Sequence, residues 1–286
     1  MSESRCTLPS MPTASQLRVV FLGSGSAGNS VAVTDGVTTL LVDCGFSARE
    51  TVRRLALAGL RAEDVSAILV THEHSDHIRG VDVFQRRHGM APVACTLGTR
   101  RAAGFDGLDG EVLTLVRGEV TRFGTLSVLP FRTSHDAAEP VGFRIETESG
   151  QVLGLATDTG VLTPEAAEAL ADVDLLGMES NHDLGMLENG PYPSFLKRRL
   201  RSEQGHLSNP DACDAIERLA SDRLQHVFAL HRSNTNNSAS IVRRELVARM
   251  TAIGLRVPVE VAPQDHILDS EPPQGSLFDD RAGGAR

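Results

Sequence analysis

The sequence predicts a layered α/β fold in which two mixed β-sheets are flanked by helices. Three observations support this prediction: apolar runs of strand length recur along the chain, they fall into two groups, and helical patterns interrupt both groups. No internal repeat with a period of 20–50 residues is visible, which argues against a solenoid or a propeller. With 286 residues, 41% of them hydrophobic, the chain can bury one large core.

Most of the predicted strands lie in the first half of the chain. The run LRVVFLG begins the fold at residue 17, and SVAVTDG and TTLLVDCG follow as an antiparallel hairpin around the turn TDG. A helix is predicted over 47–57, because Ser47 suits its N-cap and Gly59 its end. A buried strand over 66–71 and a helix over 79–88 come next, and further short strands are predicted near 93–95, 111–115, 120–123, 126–130, 141–146 and 152–156.

Helices and strands alternate more regularly in the second half. Helices are predicted over 164–171, 193–203, 209–221 and 241–253, and strands over 174–178, 225–230 and 257–261. We therefore expect one folded domain over 17–268. The N-terminal segment 1–16 and the acidic tail 269–286 have the composition of disordered chain.

Composition limits the function classes. The net charge of −9 argues against a protein that coats nucleic acid by a global positive charge, although it allows an enzyme with a local cationic site. No apolar run approaches the roughly 18 residues of a membrane span, and the N-terminus lacks the apolar core of a secretory signal. The four cysteines lie far apart without a CxxC pair, so we expect neither disulfides nor a Cys₄ zinc site, and a cytoplasmic location.

Residues 23–28, GSGSAG, match the glycine pattern of dinucleotide-binding proteins. That pattern requires a helix after the third glycine, because the helix N-terminus holds the pyrophosphate. Here the next residues, NSVAV, are typical of a strand. The segment is therefore predicted to be a tight turn, in which glycine lets the backbone approach a metal cluster or its substrate.

Four candidate metal ligands follow the predicted strand 66–71 directly: His72, His74, Asp76 and His77. In an extended chain, residues i and i+2 point the same way, so His72 and His74 can bind one ion. Asp76 and His77, at the start of the next helical turn, can reach a second ion. The residue four positions after His72 is not histidine, so the helical HExxH site of zinc proteases is not formed.

Three more candidate ligands each follow another apolar run: His135, Asp158 and His231. Strands deliver the residues at their ends to a common edge of a sheet, so these side chains are expected to meet the first four. A carboxylate such as that of Asp158 can bridge two cations, and imidazoles complete each coordination shell. The seven residues together predict a site for two divalent ions, and their mixed nitrogen and oxygen donors accept either zinc or manganese.

The ordered motifs HxHxDH (72–77), His135, Asp158 and His231 resemble those of metallo-β-lactamase-fold hydrolases over most of 18–268. The resemblance implies an αββα sandwich with the metal ions at one edge of the sheets. It also implies that His72, His74 and His135 hold one ion, that Asp76, His77 and His231 hold the other, and that Asp158 lies between them. True dizinc β-lactamases carry a cysteine where Asp158 stands, so lactam hydrolysis is not expected.

Finer motifs resemble the YycJ/WalJ group, which is also similar to tRNase Z in motif layout. They are FLGSGSAGNS, LLVDCG, VTHEHSDHIRGV, SHDAAEPVGF, ATDTG, ESNHD, GHLSN and LHRSNTNN. The resemblance implies hydrolysis of phosphodiesters in nucleic acid, chiefly as a 5′→3′ DNA exonuclease. The chain departs from the group at 231–233, where HRS replaces an HLS-like sequence and puts local substrate contacts in doubt.

The implied mechanism uses a metal-bridging hydroxide. Two metal ions about 3.5–4 Å apart lower the pKa of a bridging water towards neutrality, and the hydroxide attacks phosphorus. Asp76 is the candidate that orients this water and accepts its proton. His206, in GHLSN, matches a position that acts near the leaving group in tRNase Z-like proteins. It is expected to stabilise the phosphate or act as general acid, and a helix-cap or core histidine is the alternative.

Four further residues are expected to support the site. Glu179 and His182 follow the predicted strand 174–178, and a carboxylate there can fix the tautomer of a ligand imidazole. A ligand role for His182 is the alternative. Ser208 or Asn209 is expected to cap the next helix and leave its N-terminus free for a phosphate.

Two segments are candidates for binding partners. A basic stretch suits phosphate contacts and base stacking, although a solvated helix face explains it equally well; its residues are Tyr192, Lys197, Arg198, Arg199 and Arg201. In the tail, QGSLF at 274–278 resembles the peptide by which bacterial DNA enzymes bind the sliding clamp, with Gln274, Leu277 and Phe278 as its contact residues.

Three functions remain at this point. The leading hypothesis is a dimetal nuclease. The second is a dimetal hydrolase of a small ester such as a cyclic phosphodiester, a thioester or a lactone. The third is a non-catalytic regulator that keeps a metal site. The basic stretch, GHLSN and the tail favour the nuclease, and a complete ligand set with a candidate acid argues against the regulator.

Overall fold

The computed structural model describes residues 16–270, which form fourteen strands and nine α-helices. The strands are β1 (Arg18–Gly23), β2 (Ser30–Thr34), β3 (Thr39–Val42), β4 (Val65–Leu69), β5 (Val93–Cys95), β6 (Val112–Thr114), β7 (Thr121–Phe123), β8 (Leu126–Arg132), β9 (Val141–Thr147), β10 (Val152–Ala156), β11 (Leu175–Glu179), β12 (His226–Leu230), β13 (Val259–Val261) and β14 (Leu268–Asp269). The helices are α1 (Ala48–Leu57), α2 (Ser75–Ile78), α3 (Val81–Arg87), α4 (Leu97–Ala102), α5 (Pro164–Ala169), α6 (Leu184–Asn189), α7 (Ser194–Leu200), α8 (Asn209–Leu219) and α9 (Ala239–Ala252).

The strands pair into two seven-stranded mixed sheets. The order is β14-β1-β2-β3-β4-β5-β6 in the first sheet and β13-β12-β11-β10-β9-β8-β7 in the second. Pairing is parallel from β3 to β6 and from β10 to β13, and antiparallel between the other neighbours. The predicted hairpin of the second and third strands is confirmed by the antiparallel register of β2 and β3.

Apolar side chains from both sheets form the central core. Phe21 of β1 and Phe228 of β12 face each other with ring centroids 4.8 Å apart, and Leu40, Phe143 and Leu153 are fully buried beside them. Burying one such side chain contributes about 1.5–3 kcal/mol. This shared core explains why the central strands are apolar along their whole length rather than alternating.

Helices cover the outer face of each sheet. Leu55 of α1 and Phe84 of α3 pack on the first sheet, whereas Ile216 of α8 and Leu246 of α9 pack on the second. The resulting order of layers, helix, sheet, sheet and helix, confirms the predicted α/β sandwich. Among residues 16–270, no helix is long and apolar enough to cross a bilayer.

Several element bounds differ from the sequence predictions. The helix predicted over 79–88 is α3, which runs from Val81 to Arg87, and a separate short helix, α2, ends at Ile78 before the turn at Gly80. A Cβ at Gly80 would meet the carbonyl oxygen of Phe46, so the chain must turn closely there. The sequence did not predict α4 and α6, whose first turns are capped by the side chains of Thr96 and Asp183. Each has only six residues, which is too short to show an apolar period.

The folded domain extends past the predicted boundary at residue 268. Asp269 of β14 pairs with Val20, and its carboxylate forms an ion pair with Arg18. The backbone N–H of Ser270 donates to the carbonyl of Val19. The assignment of 269–270 to a disordered tail was therefore wrong. The proposed clamp peptide, with Gln274, Leu277 and Phe278, lies outside the described residues.

Candidate metal centre

One edge of the two sheets collects all seven predicted ligands. Each stands in a loop or short helix that follows a strand. The positions are His72 and His74 after β4, Asp76 and His77 in α2, His135 after β8, Asp158 after β10, and His231 after β12. The apolar strands are held by the core, so their last residues fix where these polar side chains emerge. The predicted convergence of the seven side chains is present in the fold.

Three imidazoles form the first ligand set. The Nδ1 atom of His74 lies 3.1 Å from Nε2 of His72 and 3.2 Å from Nε2 of His135. The other nitrogen of His135 lies 3.0 Å from the carbonyl oxygen of Gly205, to which it can donate. That hydrogen bond leaves Nε2 of His135 free of its proton and able to bind a metal.

A carboxylate and two imidazoles form the second ligand set. Oδ2 of Asp76 lies 3.7 Å from Nε2 of His77 and 3.5 Å from Nε2 of His231. His77 and His231 are buried, whereas Asp76 is partly exposed to solvent. The second set thus faces the surface through Asp76.

Asp158 lies between the two sets. Its Oδ2 atom is 3.2 Å from Nε2 of His77, and its Oδ1 atom is 3.8 Å from Nε2 of His135. Oδ1 also lies 3.3 Å from Nδ1 of His231. The carboxylate of Asp158 is therefore within reach of residues of both ligand sets, as a bridging carboxylate must be.

These residues fit divalent metal ions. The ligand atoms of each set lie within 4.8 Å of one another, and buried imidazoles and carboxylates are stabilised there only by pairing or by a cation. Nε2 of His231 is buried without a hydrogen-bond partner among the described residues, so it is available as a ligand. Nitrogen and carboxylate donors without a thiolate suit zinc and manganese alike.

Backbone strain marks three residues of the site. Asp43, Asp158 and His231 have φ values of 59°, 49° and 48°, in the left-handed region that residues with a Cβ rarely adopt. Each directly follows a strand or comes one residue later, at β3, β10 and β12. Such strain persists where the surrounding structure fixes the residue, and it concentrates at functional sites.

The electrostatics of the histidines are unequal. Burial, reinforced by the neighbouring His77, holds the pKa of His72 well below its usual value, so His72 stays in the neutral form that binds metals. Burial also lowers the pKa of His77, but the charges of Asp43 and Asp158 outweigh it and raise that pKa to about 10. His77 must therefore release a proton when it becomes a ligand.

Glu179 joins His206 to the candidate ligand His231. Oε1 of Glu179 lies 2.8 Å from Nδ1 of His206 and 3.0 Å from Nδ1 of His231, and its Oε2 accepts a hydrogen bond from the backbone N–H of Thr159. Burial lowers the pKa of His206, but the Glu179 carboxylate outweighs it and raises that pKa. The raised pKa favours the protonated form of His206, which is the form that a general acid needs.

The other three predicted supporting residues are Ser208, Asn209 and His182. Ser208 caps α8 by accepting from the backbone N–H of Asp211, and the side chain of Asn209 accepts from Ser180. Both ring nitrogens of His182 are buried without a partner in the described chain, and His182 belongs to none of the ligand groups. Ser208 is therefore the helix cap that the sequence predicted, whereas His182 is not grouped with the candidate ligands.

Sequence reasoning missed two residues that orient the second ligand set. Asp43 accepts from the backbone N–H and the hydroxyl of Thr71, and its Oδ2 lies 2.7 Å from Nδ1 of His77. The amide nitrogen of Asn29 lies 3.3 Å from Oδ2 of Asp76. Asp43 ends the apolar run TTLLVD, and that position was a signal for a site residue; for Asn29 the signal was its place directly after the glycine turn.

The glycine turn at 23–28 approaches the site as predicted. The side chain of Ser24 accepts from the backbone N–H of His231, and Gly25 donates its N–H to the side chain of Asn29. At Gly25, with φ of 141°, a Cβ would meet the side chain of Gln264 and the carbonyl of Arg232. The turn leads into β2 rather than into a helix, which agrees with the rejection of a dinucleotide site.

The side chains of the basic stretch contact two different acidic residues. Lys197 donates to the backbone carbonyl of Glu188, and Arg201 forms an ion pair with the carboxylate of the same residue. Arg199 instead donates to the carboxylate of Asp136, which follows the ligand His135. Arg198 is exposed, and Tyr192 is half-buried just before α7.

Comparison with known proteins agrees with this geometry. Residues 38–228 match the family model described as the β-lactamase superfamily domain. The chain is 38% identical over 227 residues to exodeoxyribonuclease YycJ of Bacillus anthracis, covering 78% of this chain and 84% of that protein. It is 33% identical over 258 residues to exodeoxyribonuclease WalJ of Streptococcus pneumoniae, covering 88% of this chain and 95% of that protein.

A solved structure shares the fold. The metallo-β-lactamase-fold protein YhfI from Bacillus subtilis superposes with a TM-score of 0.69 at 16% identity, covering 88% of this chain and 98% of that one. Identity at this level bears on the fold alone.

Proposed function

Since this chain belongs to the β-lactamase superfamily and is a hydrolase of the metallo-β-lactamase fold, we propose that it is a dimetal phosphodiesterase acting on nucleic acid, specifically a 5′→3′ DNA exonuclease. The observation that carries the dimetal proposal is the position of Asp158. Its carboxylate reaches both ligand sets, because Oδ2 lies 3.2 Å from Nε2 of His77 and Oδ1 lies 3.8 Å from Nε2 of His135.

We propose zinc or manganese as the ions. His72, His74 and His135 would hold one, Asp76, His77 and His231 the other, and Asp158 both. A pair of divalent ions supplies a water of lowered pKa as nucleophile and neutralises charge on the phosphate.

Asp76 is placed to orient the attacking water and accept its proton. It is the least buried ligand residue of its set, so its carboxylate meets solvent. The amide of Asn29 donates to Oδ2 of Asp76 and restricts the rotation of the carboxylate. One oxygen is thereby held in place while the group remains accessible to substrate.

His206 is placed to protonate the leaving oxygen. Its Nδ1 atom is engaged by Glu179, so Nε2 is the atom left to give up a proton. The ring lies beside both ligand sets, with its centroid 5.0 Å from that of His135 and 5.1 Å from that of His231. A general acid at this point assists departure of the 3′ oxygen, whose protonation contributes about 10²–10⁴-fold to the rate.

Two observations support a DNA substrate. The relatives with the highest coverage reported above are named exodeoxyribonucleases. The cationic segment around α7 contacts the loop that carries His135, which brings positive charge to the metal centre of a chain whose net charge is −9. This local charge attracts a phosphate backbone at one place.

The assay that tests the proposal uses the metal-reconstituted protein on labelled single-stranded DNA, duplex DNA and RNA. We expect metal-dependent release of mononucleotides from the 5′ end of DNA, and loss of that release in Asp76→Ala. Cleavage of none of the polymers would contradict the nuclease proposal. Hydrolysis of a small ester alone would support the second hypothesis instead.

We propose the sliding clamp as a partner of the tail peptide with Gln274, Leu277 and Phe278. A short peptide of this kind orders on binding, with its apolar residues as anchors. A pull-down with the clamp should retain the wild-type chain and lose a Leu277→Ala/Phe278→Ala variant. Equal retention of the two proteins would contradict the proposal.

A further inference from the structure

The end of α7 and the residues that follow it pack against the loop that carries His135. Nε of Arg199 donates to Oδ2 of Asp136 across 2.6 Å, and the backbone N–H of Asp136 donates to the carbonyl of Gln204 across 3.1 Å. The next residue, Gly205, accepts from His135. These three contacts fix residues 199–205 against the loop that carries His135.

Arg199 contacts the loop that carries His135. Lys197 and Arg201 are tied to Glu188, away from the ligands. The partner of Arg199 is Asp136, whose Oδ1 atom lies 3.4 Å from Nε2 of His135. One carboxylate therefore separates the guanidinium of Arg199 from a predicted ligand atom.

Asp136 holds one edge of the Arg199 guanidinium, and the other edge has no partner within residues 16–270. Nε and Nη2 both contact Oδ2 of Asp136, whereas Nη1 has no hydrogen bond or ion pair within residues 16–270. The side chain is 58% exposed. Arginine binds phosphate oxygens in a bidentate manner through its planar donors, and an oriented guanidinium loses less freedom when it does so.

We propose that Arg199 binds the terminal phosphate at the 5′ end of the DNA strand, an inference that rests on the proposed exonuclease function. An incoming anion must compete with the carboxylate of Asp136 for the guanidinium. A terminal phosphomonoester carries about −1.5 to −2 charge at pH 7, whereas each internal phosphodiester carries one negative charge. The Asp136–Arg199 pair thus favours a strand end over an internal phosphate.

Binding measurements test this inference without catalysis. Each protein variant carries Asp76→Ala, which prevents cleavage. It is titrated into the same fluorescently labelled single-stranded DNA with and without a 5′ phosphate, and fluorescence anisotropy gives the dissociation constants. With Arg199 intact we expect about tenfold tighter binding of the phosphorylated strand, and with Arg199→Ala equal binding of both strands. Equal binding by the chain that retains Arg199 would overturn the inference.

Two further variants separate charge recognition from packing. Arg122→Ala is the matched control, because Arg122 is also 58% exposed and ion-paired, with Glu148, and it lies in β7, the strand at the edge of the second sheet. It should keep the preference. Asp136→Asn removes the competing charge, so it should tighten binding of the unphosphorylated strand and reduce the preference. Loss of the preference in Arg122→Ala, or an unchanged preference in Asp136→Asn, would contradict the mechanism.

Cleavage rates distinguish failure of this inference from failure of the proposed function. Arg199→Ala should lower kcat/KM about ten- to hundredfold on 5′-phosphorylated DNA and less than twofold on 5′-hydroxyl DNA. Equal losses on both substrates, or no loss on either, would overturn the role of Arg199 while the nuclease proposal stands. A wild-type chain that cleaves no polymer would overturn the nuclease proposal. The difference in affinity between strands with and without a 5′ phosphate would still decide whether Arg199 binds that phosphate.

Discussion

His77 donates a hydrogen bond from Nδ1 to Oδ2 of Asp43 across 2.7 Å in the protein interior. The bond fixes the ring so that Nε2 faces Asp158 and the second ligand set. Asp43 is itself held by the backbone N–H and hydroxyl of Thr71, which precedes the ligand His72. One buried carboxylate therefore positions the start of the ligand motif.

Asp43→Asn should lower metal affinity about 10–100-fold, because outer hydrogen bonds of this kind orient the ligand and raise its basicity. Competition with a chelator measures the affinity, and Asp64→Asn, at an exposed carboxylate, is the control. An unchanged affinity in Asp43→Asn would show that His77 does not need this hydrogen bond.

His206→Gln should lower kcat about 10²–10⁴-fold and leave the metal content unchanged if His206 is the proposed acid and not a ligand. Steady-state kinetics and elemental analysis on the same preparation give both quantities. His266→Gln, at a side chain that is 73% exposed, is the control. Loss of a metal ion from His206→Gln would make His206 a ligand and contradict the assigned role.

Gly45→Ala should destabilise the fold by about 1–3 kcal/mol and weaken metal binding. A Cβ at Gly45 would collide with the backbone carbonyl of Asp76 and approach the backbone nitrogen of Asn29. Urea unfolding measures the first effect and chelator competition the second. Gly107→Ala is the control, because a Cβ there meets nothing within 4 Å. Equal stability of the two variants would contradict this packing.

The buried His182 should make the metal-free protein less stable in acid. Burial lowers the pKa of His182 to about 4, below its unfolded value of 6.5, so the unfolded chain binds the proton first. This group does not lower the free energy of unfolding above pH 6.5. The free energy of unfolding decreases as pH falls from 6.5 towards 4, because the unfolded chain then takes up a proton that the folded chain does not. At pH 5 the loss from this group is about 2 kcal/mol.

Urea unfolding in chelator at pH 7.5 and pH 5 tests this prediction. The stability lost between the two pH values should be about 2 kcal/mol smaller in His182→Gln than in the wild type. His266→Gln should lose as much as the wild type. A His182→Gln variant with the wild-type pH dependence would show that His182 is not held neutral by burial.

The fold class and the convergence of the ligands could be predicted from sequence because both depend on local patterns. Short apolar runs mark the strands, and polar residues such as His135 and Asp158 stand directly after them. A sheet core fixes the ends of its strands, so residues at those ends meet without any further information. The glycine turn could be interpreted in the same way, from the strand-like residues after Gly28.

The remaining site residues depend on contacts between distant segments. Asp43 and His77 are separated by 34 positions, and Asp136 and Arg199 by 63. No local pattern encodes such a pair, because the packing of loops from different strands brings it together. For the same reason the sequence assigned Arg199 and Arg201 one role, while their partners in the fold differ.

The metal content of the purified chain tests the central claim of two ligand sets bridged by Asp158 most directly. Elemental analysis with native mass spectrometry, after reconstitution with zinc or manganese, should give two ions per wild-type chain. His135→Ala should retain about one, because it removes a ligand from the first set only. A wild-type chain that binds one ion or none would contradict the account.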